Sequence, residues 1–125
     1  MEAKGTSLEQ QIIDFFYQLG YRVIAPRFVP GNSGSSQKFD ISAVKGDEEI
    51  VLDIASAREV GPEAVVAFVA KIFDTRPKRP ILVCVPALSH DAKSLVTMYK
   101  IETVTARDTH GVLLALSNIF ASEQS

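Results

Sequence analysis

Two consecutive β-forming runs in this chain are each broken by a single aspartate. Asp40 interrupts Gln37-Lys38-Phe39-Asp40-Ile41-Ser42-Ala43-Val44, and Asp53 interrupts Glu49-Ile50-Val51-Leu52-Asp53-Ile54-Ala55. Strand interiors disfavour aspartate, and an unpaired charge inside an apolar strand is costly. The runs meet at Lys45-Gly46-Asp47-Glu48, a polar hairpin connection, so a fold that pairs them carries two carboxylates on neighbouring strands. Such a pair is a natural site for a hard cation, since Mg²⁺ takes oxygen ligands and is commonly held by one or two carboxylates. The alternative for Asp53 is a buried salt bridge to Lys38 or Lys71. Lys38 shares a strand face with Asp40 at a spacing of two, and Lys71 falls in register with Ala64 and Ala67, a small-residue stripe suited to approaching a sheet.

The elements around these strands alternate. Ser7-Leu8-Glu9-Gln10 is a capping-box pattern, followed at helical spacing by Leu8, Ile12, Phe15, Phe16 and Leu19, with Gly20 as the stop. Residues 21–28 are β-rich but interrupted by Pro26, which predicts an edge or a bend. Pro30-Gly31-Asn32-Ser33-Gly34-Ser35-Ser36 is the one strongly flexible stretch. Pro62 opens a helix to about residue 74, with Val65, Val66, Phe68, Val69, Ile72 and Phe73 suited to packing on a sheet. A basic loop, Arg76-Pro77-Lys78-Arg79-Pro80, leads to a strand over residues 81–85. Ser89 caps a helix to about residue 99, residues 101–105 form a short strand, and residues 109–121 a last helix. The order predicts an α/β fold with an antiparallel start and a crossover to a parallel strand.

At 125 residues the chain reads as a single domain over 1–125. Its single cysteine, Cys84, excludes an internal disulfide and a multi-cysteine zinc site, and its apolar setting reads as a buried small hydrophobe. No apolar stretch approaches the ~18–20 residues of a membrane span, and no signal-peptide pattern is present, so the expected location is cytoplasmic. The formal net charge of −2 gives no global attraction to nucleic acid, so binding DNA requires a local basic patch. Arg22, Arg27, Arg58, Arg76, Lys78 and Arg79 are the candidates.

The order of elements resembles the PD-(D/E)XK restriction-endonuclease-like superfamily, and over the first two thirds its archaeal Holliday-junction-resolvase branch. The matching pieces are Lys4-Gly5, Glu9, Gly20-Tyr21, Gly34-Ser35, Lys38-Phe39-Asp40, Asp53-Ile54-Ala55 and Pro80-Ile81-Leu82-Val83. From about residue 86 the chain departs from those resolvases. The resemblance implies a three-layer core with a mixed central sheet flanked by helices, in the order α-β-β-β-α-β and then α-β-α. It also implies that Asp40 and Asp53 bind Mg²⁺ or Mn²⁺, that Glu9 completes the site, and that Ser35 lies near it; on residue type, Arg27 and Lys38 join Ser35 as candidate nucleic-acid contacts. The bound metal would polarise a phosphate and lower the pKa of the attacking water. The motif lysine would assist the nucleophile and the developing charge. Ala55 stands at that lysine position. Lys38 and Lys71 are the two candidates to replace it, Lys38 the first choice.

His90 and His110 sit at predicted helix starts without a ligand companion at helical spacing, which reads as capping or exposure rather than metal binding. The glycine- and serine-rich loop has amides that could cradle a phosphate, but not the order of an ATP-binding loop. Three functional classes stay open: a metal-dependent DNA endonuclease or resolvase-like enzyme, a catalytically inactive nuclease-fold module binding nucleic acid or protein, and an unrelated α/β scaffold. The missing lysine and the acidic isoelectric point weigh against the first, and the three acids weigh against the third. The resolvase relatives act as dimers, and the last helix, with Val112, Leu113, Leu114, Leu116, Ile119 and Phe120, is the candidate homodimer interface.

Overall fold

The computed structural model describes residues 7–123; Lys4-Gly5 lies outside them. The chain runs α1 (Leu8–Gln18), β1 (Arg22–Ile24), β2 (Arg27–Pro30), β3 (Ser36–Phe39), β4 (Ile41–Lys45), β5 (Glu48–Ser56), α2 (Pro62–Thr75), β6 (Arg79–Val85), α3 (His90–Tyr99), β7 (Glu102–Thr105) and α4 (Thr109–Glu123). The main sheet has the order β1-β4-β5-β6-β7. Its first three strands are antiparallel and its last three parallel. Parallel neighbours require crossovers, and α2 and α3 supply them.

Alternation along the strands sorts the sheet into two faces. Ile41, Ala43, Ile50, Leu52, Ile81 and Val83 pack with Ile12 and Phe16 of α1 and with Val112, Leu116 and Phe120 of α4. Val51, Leu82 and Cys84 face the other way, against Val65, Phe68 and Val69 of α2 and Ala92 of α3. The result is three layers, helix pair, sheet, helix pair. Cys84 is fully buried, and that burial pushes its thiol up to about 11, which suits an inert hydrophobe.

The helix boundaries follow their signals. Ser7 Oγ accepts from the Gln10 amide at 3.1 Å. The Gln10 side chain turns instead to Asp14, so the capping box is half formed. Gly20 leaves α1 at φ +90°, a conformation glycine adopts without strain. Pro62 opens α2, and Ser89 Oγ caps α3 through the Ala92 amide at 3.1 Å.

Four expectations are corrected. Residues 21–28 divide at Pro26, where the ring removes a ladder donor, into β1 of the main sheet and β2 of a separate ribbon. Residues 37–44 divide at Asp40, with β3 in the ribbon against β2 and β4 in the main sheet. Five strands, not three, therefore precede α2. On α2, Val66 and Phe73 point to solvent rather than to the sheet. A separate observation, not a correction, concerns α4, where Val112, Leu116 and Phe120 are buried internally and Leu114 is the exposed large apolar residue.

The fourth correction concerns the glycine-rich loop, which is tied to the end of α2. Asp74 accepts from the Ser33 amide at 2.7 Å, from Ser33 Oγ at 2.8 Å and from Gln37 Nε2 at 2.8 Å. The Asn32 amide donates to the Asp74 carbonyl, and the Gly31, Gly34 and Ser35 amides are bonded within the loop. Each amide from 31 to 35 is therefore committed, and the loop has none left to cradle a phosphate. Gly31 is required by close approach. A β-carbon there would sit 1.9 Å from Asp74 Oδ2 and 2.8 Å from the Ser35 carbonyl oxygen.

Gly31→Ala is expected to destabilise the protein by about 1–3 kcal/mol through overpacking, measured by chemical denaturation. Bonds from Gln37 and then Ser33 hold the Asp74 carboxyl below its ordinary 3.8. Because the folded value is the lower one, the clasp stabilises above the ordinary pKa and is lost as pH falls through the depressed value. Exchange protection of the loop amides should therefore persist as pH falls past 3.8 and be lost only at more acidic pH.

Candidate active site

Where β3 leaves the main sheet, the backbone ladder between β4 and β5 stops at the pair Ile41 and Leu52. The next residues on either strand are Asp40 and Asp53, and their side chains continue the pairing. The Asp40 amide donates to Asp53 Oδ1 at 2.9 Å, and the Ile54 amide donates to Asp40 Oδ2 at 2.8 Å. Each carboxylate thus satisfies a backbone donor of the opposite segment, and the two acids are locked side by side.

The second oxygen of each acid faces an ammonium group. Lys38 Nζ lies 2.9 Å from Asp40 Oδ1, and Lys71 Nζ lies 2.6 Å from Asp53 Oδ2. Lys71 reaches across from α2, also donates to the Lys38 carbonyl, and sits 5.2 Å from the centre of the Phe39 ring, within cation–π range. Phe39 is itself buried edge-on against Phe68 of α2. Asp53 is 8% exposed, so these partners offset the desolvation of its carboxylate. Lys38 is more open, and the hydrogen bond and charge of Asp40, then the charges of Asp53 and Glu9, raise its pKa above 10.5.

The structure therefore brings Asp40, Asp53, Lys38 and Lys71 together. Glu9, in the first turn of α1, acts on Lys38 through charge. Among the described residues, no three acid, histidine or cysteine side chains converge into a metal cage. Ser35 belongs to the Asp74-bound loop. Arg27 donates to the Phe28 carbonyl at 3.1 Å and lines a groove with Arg22, Ser42 and Lys78. Neither is hydrogen-bonded to the carboxylate–lysine quartet. Ala55 lies on the same strand face as Asp53 and packs against the α2/α3 cluster, so the ammonium group on Asp53 comes from a helix rather than from the strand. Sequence reading missed Phe39 as the platform for Lys71; its one signal was a large aromatic directly before Asp40.

Comparison with known proteins bears on the fold. No family model and no curated protein matches the sequence. Solved structures match the fold. A protein of unknown function, AF1548, superposes with a TM-score of 0.65 at 17% identity, over 78% of this chain and 57% of that one. A repair endonuclease from Pyrococcus abyssi gives 0.56 at 20% identity, over 86% of this chain and 49% of that one. EndoMS in its apo form gives 0.52 at 18% identity, again over 86% and 49%. The chain spans about half the length of these proteins, and at such identities the likeness is one of fold. That fold is restriction-endonuclease-like, with a mixed five-stranded sheet between helix layers. No helix among the described residues is long and apolar enough to cross a membrane.

Two outcomes test this geometry. Asp40→Asn should lower the Lys38 pKa toward 10.5, followed by NMR titration of the lysine side chain. An unchanged value would remove Asp40 as its partner. A double-mutant cycle with Asp53→Asn and Lys71→Met should return a coupling energy of about 1–3 kcal/mol in denaturation experiments.

Proposed function

We propose that this chain is a nucleic-acid-associated nuclease-like domain of the PD-(D/E)XK type, a divalent-metal-dependent DNA phosphodiesterase in which Lys71 replaces the missing motif lysine. The observation that carries the reading is the paired carboxylates with an ammonium delivered to Asp53 from α2. Likeness to a repair endonuclease and to EndoMS supports it at the level of fold, and DNA is the partner that likeness suggests.

The donor set fits Mg²⁺ or Mn²⁺. Asp40 Oδ1 and Asp53 Oδ2 are hard oxygens free of backbone bonds, already paired with positive charge. Mg²⁺ commonly takes one or two carboxylates and completes its shell with water and phosphate, so a third protein ligand is not required. Glu9 would be the outer ligand. A bound metal would supply Lewis acidity toward a phosphodiester and a more acidic water. The chain's own residues do the rest. The backbone amides of Asp40 and Ile54 hold the carboxylates in orientation, Lys71 balances charge at the scissile phosphate, and Lys38, on the more open side, contacts a neighbouring phosphate. Lys38 was the first choice for the missing lysine on sequence grounds. Lys71 is the better candidate because it is more enclosed and is held by Asp53, the Lys38 carbonyl and the Phe39 ring.

One observation favours the inactive-module reading. Both acids already have structural employment in the interrupted ladder. The resolvase-like preference for branched DNA and a homodimer through α4 belong to the same proposal, with Leu114 as the apolar contact such a dimer would use.

Calorimetry with Mn²⁺ and Mg²⁺ on wild type and Asp40→Asn, alongside cutting assays on a four-way junction and a linear duplex, tests the proposal. Metal binding should vanish in Asp40→Asn, and cutting should fall about 100-fold or more in Lys71→Met, within the range of a lost proton-transfer or charge-stabilising group. Metal binding without cutting would leave the inactive module. Absence of metal binding in wild type would reduce the quartet to a structural ion-pair cluster.

A further inference from the structure

The other flank of the last turns of α2 carries a cleft that this reading does not use. It lies between the C-terminal ends of α2 and α3 and has a volume of about 260 Å³. Val69, Ile72 and Ile101 contribute to its apolar lining, and Phe73 and Tyr99 stand beside it with ring centres 6.4 Å apart. Phe73 is 64% exposed and Tyr99 42%, high values for two adjacent aromatic residues.

The charges at the cleft are one-sided. Arg79 and Glu102 neutralise each other through paired bonds of 3.0 and 2.9 Å. Lys78, whose Nζ donates to the Asp47 carbonyl at 3.0 Å, and Lys100 remain, so the lining is net positive on a chain of net charge −2. Among the described residues no carboxylate forms an ion pair with Lys100. Lys100 also occupies the C-cap of α3 at φ 56°, a left-handed position that favours glycine.

We propose that this cleft binds one unstacked nucleotide of a single-stranded DNA segment, with the base against Phe73 and Tyr99 and the flanking phosphates on Lys78 and Lys100. Aromatic platforms bordered by cations are the recurring solution for single strands, because each base offers a π-face and each phosphate a charge. The cleft is smaller than the ~300–1,000 Å³ of ordinary small-molecule sites, which suits one base better than a whole cofactor. Lys71 lies two residues before Phe73 on α2 and reaches the opposite flank. One helix end therefore carries the carboxylate site on one side and the base cleft on the other. The inference deepens the DNA reading above and rests on it for the identity of the ligand.

The test is fluorescence anisotropy with a short labelled oligothymidylate in metal-free, low-salt buffer. Phe73→Ala should weaken binding about tenfold; the residue is exposed, so the fold should tolerate its loss. Lys100→Gly suits the left-handed backbone and should fold at least as well as wild type, yet lower the salt slope by about 0.7, the share of one phosphate contact. Wild-type binding by both Phe73→Ala and Lys100→Gly, or no binding by wild type itself, would overturn the cleft. Cutting that still depends on Asp40 would then leave the phosphodiesterase reading standing. Phe73-dependent binding by a protein that cuts nothing would do the reverse.

Discussion

The structure turns on the exchange of hydrogen bonds between Asp40 and Asp53. A strand that leaves a sheet abandons backbone donors on the strand it leaves, and buried orphans of that kind are rarely tolerated. Here the chain enters the main sheet only at β4, out of the β2–β3 ribbon, and two side chains replace the missing ladder bonds. The ribbon is thereby free to carry Phe39 into the α2 layer and to place Lys38 beside the acids. The departure of β3 builds the site.

α2 is the second half of that construction. Its buried stripe of Val65, Phe68 and Val69 fixes it on the sheet, which sets the height at which Lys71 meets Asp53. Its end is held separately by Asp74, which gathers the glycine-rich loop through Ser33 and Gln37. Loop, ribbon and helix are therefore coupled. Loosening the Asp74 clasp would shift the strand that carries Lys38, although Asp74 itself belongs to no catalytic group.

Much of this was legible in the sequence because it depends on local pattern. Caps at Ser7 and Ser89, the stop at Gly20, Pro62 at the head of α2 and the alternation in residues 50–54 and 81–85 each report on their own neighbourhood. Pairing of Asp53 with Lys71 was also among the readings, since a buried charge demands a partner. The split at Asp40 was not legible. Residues 37–44 alternate well enough for one continuous strand, and a switch of partner from backbone to side chain leaves no trace in periodicity. The clasp at Asp74 was hidden for a related reason: its partners lie 41 and 37 residues away, and polar loop residues look alike whether bound or free. The exposure of Phe73 contradicts its apolar character, and only tertiary structure reveals it.

The structural employment of the two aspartates does not account for their charge. An asparagine accepts a backbone hydrogen bond through its side-chain carbonyl as well as a carboxylate does, so repair of the ladder alone would be met by Asn at both positions. Two carboxylates bring two negative charges into a partly buried place, where each needs a counter-charge to avoid a desolvation penalty. The chain supplies two lysines for the purpose and anchors one of them on a buried aromatic ring. The division of labour within each carboxylate points the same way. One oxygen is fixed by backbone, which sets the direction of the other, and that other oxygen meets a lysine ammonium group. Loss of either ammonium would leave in place the backbone bonds that hold the sheet together, which separates the oxygens that serve the fold from those that do not.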